Sequence, residues 1–233
     1  MSMPQTTVGS RLVFQNAVAS IKRAGLNPGG AVLSQSYLRL ETLAVANQTQ
    51  YNFDVLVNEN TQVANFNTQQ KLNLQDAFVI SSIGFYLACP TSNTSTKFRL
   101  LTYPTFDSNN FTTATFANDA LALYNGYWSL TVNQRVIVPN WDLQRHLVIP
   151  ETQSNAVFAT TTAPTAPIHL ADDYYDGGES AQYPVEPNVT LVGSKKHNFT
   201  LTLPAGIATL PTNTPRIVCM MRGILAQNVT SVN

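Results

Sequence analysis

Charge is what this sequence has least of. Asp, Glu, Lys and Arg make up 11% of the 233 residues, against about 25% in an ordinary globular chain. Thirteen basic residues balance thirteen acidic ones. A dedicated nucleic-acid binder shows a basic excess, so sequence-specific nucleic acid is not an expected partner. Long apolar runs are also missing. No stretch reaches the roughly 18 residues that a membrane-spanning helix needs. The opening residues, MSMPQTTVGSRLVFQNAV, lack the charged start, apolar run and cleavage site of a secretory signal.

Chemistry-bearing residues are scarce as well. Only Cys89 and Cys219 are present, each inside an apolar run, and two buried thiols are the plain expectation. Zinc-finger spacing needs more ligands than two cysteines supply. The three histidines, His146, His169 and His197, have no second ligand at metal spacing. No nucleophile elbow, zincin helix, phosphate loop or dinucleotide fingerprint occurs. The expectation is no catalytic residue, no cofactor and no enzyme activity.

What is abundant is neutral polarity. Asn and Thr supply about one residue in five, well above ordinary usage. A neutral surface repels its own copies weakly, and a net charge of zero favours association. Burying amides and hydroxyls at a contact costs less than burying Lys or Glu. This suits a protein surrounded by neighbours, though a secreted or surface β-domain can share the composition.

The pattern along the chain is one helix followed by strands. From Ser10 to Gly25, a helical period puts Val13, Phe14, Ala17, Val18, Ile21 and Ala24 on one face. Ser10 suits the N-cap and Gly25 the stop. Beyond residue 30 about eleven strand-like runs follow, at 37–43, 50–57, 77–89, 97–103, 127–132, 135–139, 143–149, 156–160, 188–193, 197–204 and 216–226. Gly84 suggests a bulge or bend in the third run. Asn133-Gln134 reads as a tight hairpin turn. A short helix is expected near 117–125, and 161–187 reads as a long loop. Many short strands with Pro, Gly and Asn turns mean a sandwich or barrel. The expected fold class is all-β: a jelly-roll β-sandwich, with two such rolls dividing the chain into 30–115 and 116–233 behind an N-terminal segment 1–29. A single roll with long loops is the other arrangement.

The candidate sites are few. Asp172, Asp173, Asp176 and Glu179 cluster around Gly-Gly, a carboxylate set a hard cation could use. A solvated acidic loop, or one that meets a basic patch on another copy, is the plainer reading, so no metal is expected. Glu41 and Asp54 are the carboxylates that strand-borne hydrolytic chemistry would need. Tyr124, Tyr127, Trp128 and Trp141 could stack on sugars, but core or interface anchoring is commoner for such rings. Arg11, Lys22 and Arg23 make the first helix basic. It can cap the sandwich, lie on an anionic membrane or face packaged nucleic acid.

A basic N-terminal helix before a neutral, Asn/Thr-rich, strand-rich body resembles the major capsid proteins of small tailless phages with an internal membrane. The stretch YNGYWSLTVNQRVIVPNWDLQRHLVIPETQ, from Tyr124 to Gln153, is similar to virion proteins of the lipid-containing single-stranded DNA phages of Flavobacterium. The resemblance implies upright double jelly rolls that form trimers and close an icosahedral shell around membrane and genome. It further implies a virion protein made in the host cytoplasm, in contact with other virion proteins. The first helix would then face inward. A carbohydrate-binding or adhesin module is the alternative from a different class.

Overall fold

The computed structural model of the chain describes residues 8–60, 66–90, 95–96, 98, 100–103, 118–148, 181–210 and 215–229. It is mostly β, with two antiparallel four-stranded sheets and one α-helix. Helix α1 spans Val8–Arg23. The strands are β1 Val32–Leu43, β2 Gln50–Phe53, β3 Ala77–Ala88, β4 Tyr127–Val132, β5 Arg135–Asp142, β6 Tyr183–Val192, β7 His197–Thr202 and β8 Arg216–Gln227. The first sheet runs β1-β8-β3-β6 and the second β2-β7-β4-β5.

Both sheets mix strands from the two sides of residue 115. β1 and β3 pair with β8 and β6 in one, and β2 pairs with β7 in the other. The ladders therefore run across the expected divide between 30–115 and 116–233. The described strands build one sandwich, not two. The expectation of two rolls came from the resemblance and from about eleven strand-like runs; the described residues contain eight strands. Of the run 97–103, the described residues 98 and 100–103 contribute an isolated bridge, Leu87 to Leu101. Residues 144–146 form a 3-10 turn that buries His146. The run 156–160 lies outside the described residues.

Strand polarity follows alternation. On β4, Trp128, Leu130 and Val132 point into the core, while Tyr127, Ser129 and Thr131 are more exposed. β3 is apolar nearly throughout because it is covered on both faces. Its core-facing residues change parity, from Phe78 and Ile80 to Ile83, Phe85 and Leu87. An extra residue between Ile80 and Ser82 causes the change, since the register against both neighbours shifts there. The bulge falls at Ser81, not at Gly84. Gly223 of β8 lies opposite Ile80, where any side chain would collide with the Val79 carbonyl.

Helix α1 covers one end of the first sheet. Ala17 and Ile21 are buried against Ala77, Val79, Ile224 and Ala226, with Phe14 packed alongside. The helix begins before Ser10, so Ser10 lies inside it and is not its cap. Val13 is 39% exposed, not part of the packed face. Gly25 ends the helix as expected: its φ is 85°. Its N–H donates to Lys22 and that of Leu26 to Ile21, which closes the last turn. The predicted hairpin turn is present, with both Asn133 and Gln134 at positive φ. A 3-10 turn at Ala120–Leu123 stands where the second short helix was expected.

Candidate functional site

Three surfaces carry the described features most relevant to function. The first is the outer face of the second sheet. Cross-strand partners there are Asn52, Thr200 and Ser129 in one row, and Gln50, Thr202 and Tyr127 in the next. Thr131 sits opposite Asn198. Thr200 Oγ1 donates to Asn52 Oδ1 at 2.9 Å. Across β2, β7 and β4 this face is amide and hydroxyl, with Tyr127 as its exposed ring. The Asn and Thr excess of the composition is spent here in part. Such a face can meet another protein without stripping water from charge.

The second surface is an open cleft of about 630 Å3 between β5 and β6. Arg23 of α1, Arg135 of β5 and Lys195 line it, with Glu186 as the acidic member. Ile137, Pro139 and Trp141 supply an apolar wall. Trp141 is fixed by what lies beneath it. Its Nε1 donates to His146 Nε2 at 3.0 Å, and His146 Nδ1 donates to the Ala181 carbonyl at 2.8 Å. His146 is therefore neutral with its proton on Nδ1. Burial holds its pKa down to about 4 against the pull of the Ala181 carbonyl, and the Arg145 charge adds to the lowering. The Arg145 guanidinium lies 4.6 Å from the Trp141 ring centre and 5.7 Å from that of Tyr183. This cluster ties the end of β5 to the start of β6. It is a clamp between strands, and His146 has no lone pair left for a base.

The third is helix α1 itself. Lys22 and Arg23 are exposed at its end, and Leu12 is 58% exposed. Arg11 belongs to the helix, but its side chain lies outside the described residues. The helix packs as a cap on the sandwich and leaves only a narrow apolar strip outward. No described helix is long and apolar enough to cross a membrane.

The other candidates disperse. Trp128 is fully buried, stacked 4.9 Å from Phe199 and 5.7 Å from Trp141, so it is a core ring. Glu41 sits 0% exposed between two arginines: Arg39 Nε at 2.7 Å and Arg216 Nη1 at 3.1 Å. Arg216 is itself sandwiched by Phe66 and Phe98, with ring centres at 4.0 and 4.8 Å. Asp54 faces Lys71 at 3.5 Å. Both carboxylates are engaged in ion pairs, not presented to a substrate. Cys89 and Cys219 are buried free thiols, and burial pushes Cys89 up to about 12. Asp172, Asp173, Asp176, Glu179 and His169 lie outside the described residues. Among the described residues no group of His, Cys, Asp and Glu could hold a metal ion.

No protein-family model matches this chain, and no curated protein does. The reading of its function therefore rests on its own residues. The buried Glu41 cluster was invisible in the sequence, because its members stand in four separate segments. The Trp141–His146 contact left one signal: an indole and an imidazole five residues apart, flanking a turn.

Proposed function

We propose that this chain is a structural shell subunit of a virus particle, a bacteriophage capsid protein that acts by packing against its own copies. The observation that supports this best is the strand order. β1-β8-β3-β6 and β2-β7-β4-β5 support the reading of an eight-stranded jelly roll, an architecture used by capsid and lectin domains and by cupins. Fold alone does not select among these. A lectin platform built on Trp128 fails because that ring is buried. The uncharged face of the second sheet fits repeated self-contact.

On this reading one roll per chain, not two, would form each subunit, with trimers as the expected capsomer. Shell closure follows from symmetry and many weak contacts. Helix α1 would turn Lys22 and Arg23 toward the particle interior and its membrane. The test is the mass of the purified protein by light scattering across concentration, followed by electron microscopy. Trimers and closed particles are expected. A monomer at every concentration would sink the shell reading, and glycan binding that depends on exposed Tyr127 would favour the lectin alternative.

A further inference from the structure

Sheets end in edges, and edges invite pairing unless they are guarded. Among the described residues the two sheets have four edges, and three of them are guarded. β2 has four residues. β5 carries Pro139 and breaks register with β4 twice. β6 carries Pro184 and Pro187 and a register break. β1 is the exception. Its twelve residues pair with β8 without a break, and residues 32–38, VLSQSYL, contain no proline and no charge.

The free side of β1 is already used once. Arg39 exchanges both backbone hydrogen bonds with Gln70, each 2.9 Å. Arg39 therefore turns its N–H and C=O away from β8. With a period of two, Leu33, Gln35 and Tyr37 do the same. Among the described residues nothing pairs with those groups. Val32 and Tyr37 beside them are 61% and 49% exposed.

We propose that residues 32–38 dock against the same strand of a second copy, antiparallel, about a two-fold axis through Gln35. The sequence is its own complement in that arrangement. Ser34 falls opposite Ser36, Leu33 opposite Tyr37 and Val32 opposite Leu38, while Gln35 meets itself. Each of these pairs is matched in character, and no like charges face each other. An unrelated strand has no reason to match such a mirror pattern, whereas an isologous contact requires it. Leu33, Gln35 and Tyr37 would form about six backbone hydrogen bonds with their counterparts. One step further, Ala31 of the second copy would fall opposite Arg39, whose free side Gln70 holds, so the ladder ends with Val32 opposite Leu38. The pairing takes from the shell reading only the expectation that copies meet, and it names where.

The test uses cysteine substitutions in the full chain. Ser34→Cys and Ser36→Cys are purified separately, mixed and oxidised mildly. Positions 34 and 36 are directly opposite and within disulfide reach in this register, and the native thiols are buried. The mixture is expected to give a disulfide-linked dimer that neither variant gives alone. Gln35→Pro is expected to abolish the dimer with its melting temperature nearly unchanged, because that N–H points away from β8. A dimeric or assembled protein with no mixed cross-link, or a Gln35→Pro dimer, overturns the proposal. Closed particles without the mixed cross-link sink the edge pairing and spare the shell reading. The cross-link in a protein that never closes particles supports the edge pairing and sinks the shell reading alone.

Discussion

Buried charge sets the first prediction at the scale of single residues. Glu41 accepts from Arg39, from Arg216 and from Thr68 Oγ1, the last at 2.6 Å. Among the described residues it is the acid that two guanidinium groups share. Removing it leaves positive charges facing each other out of water, so Glu41→Gln is expected to cost about 3–5 kcal/mol. Urea unfolding measures this, and a loss below about 1 kcal/mol would show the cluster to be solvated. The buried histidines give the second prediction. Burial lowers both His146 and His197 to about 4, with Lys195 adding to the effect on His197. Once unfolded, each ring titrates near 6.5. Protons therefore bind the unfolded chain first as pH falls. The stability due to each neutral ring is whole above about pH 6.5, and up to about 3 kcal/mol per ring is lost as pH falls to about 4. Ring resonances followed by NMR should move near pH 4 in the native protein. Titration near 6.5 would contradict the burial.

At the scale of elements, α1 decides between cap and anchor. Ile21 is fully buried against the first sheet. Ser20 Oγ lies 2.8 Å from Thr190 Oγ1 of β6. If the helix is part of the folded unit, Ile21→Ala costs about 2–5 kcal/mol in water without lipid. A helix serving only as a membrane anchor would show no such loss in denaturant unfolding. The helix was legible because its packed residues Phe14, Ala17 and Ile21 repeat at helical spacing. β4 was legible by strict alternation. β6 was legible only from Asn188 onward; its first half was missed because Pro184 and Pro187 demote a strand-like run, and only an edge position makes them tolerable. The start of β1 at Val32 was missed because Ser34, Gln35 and Ser36 carry no apolar signal. The run 143–149 looked like a strand, yet Gln144–His146 winds into a 3-10 turn to bury the imidazole under Trp141.

For the whole molecule, class was readable and connectivity was not. Alternation and turn residues pointed to a sandwich. Which strand pairs with which depends on contacts such as Leu40 with Cys219, far apart in sequence, and nothing local records them. The same neutral surface sets the last prediction. Salt weakens contacts made by exposed charges, because screening shortens their reach to about 3 Å at 1 M. With 11% charged residues and no net charge, the proposed contacts between copies would have little such attraction to lose. Association measured by light scattering should change little between about 0.05 and 0.5 M sodium chloride. Ammonium sulfate should strengthen it, since excluded salts favour burial. Dissociation on adding sodium chloride would mean that the cleft of Arg23, Arg135 and Lys195 holds copies together by charge. The uncharged face and the β1 edge would then be secondary, and that basic cleft would be the first surface to mutate.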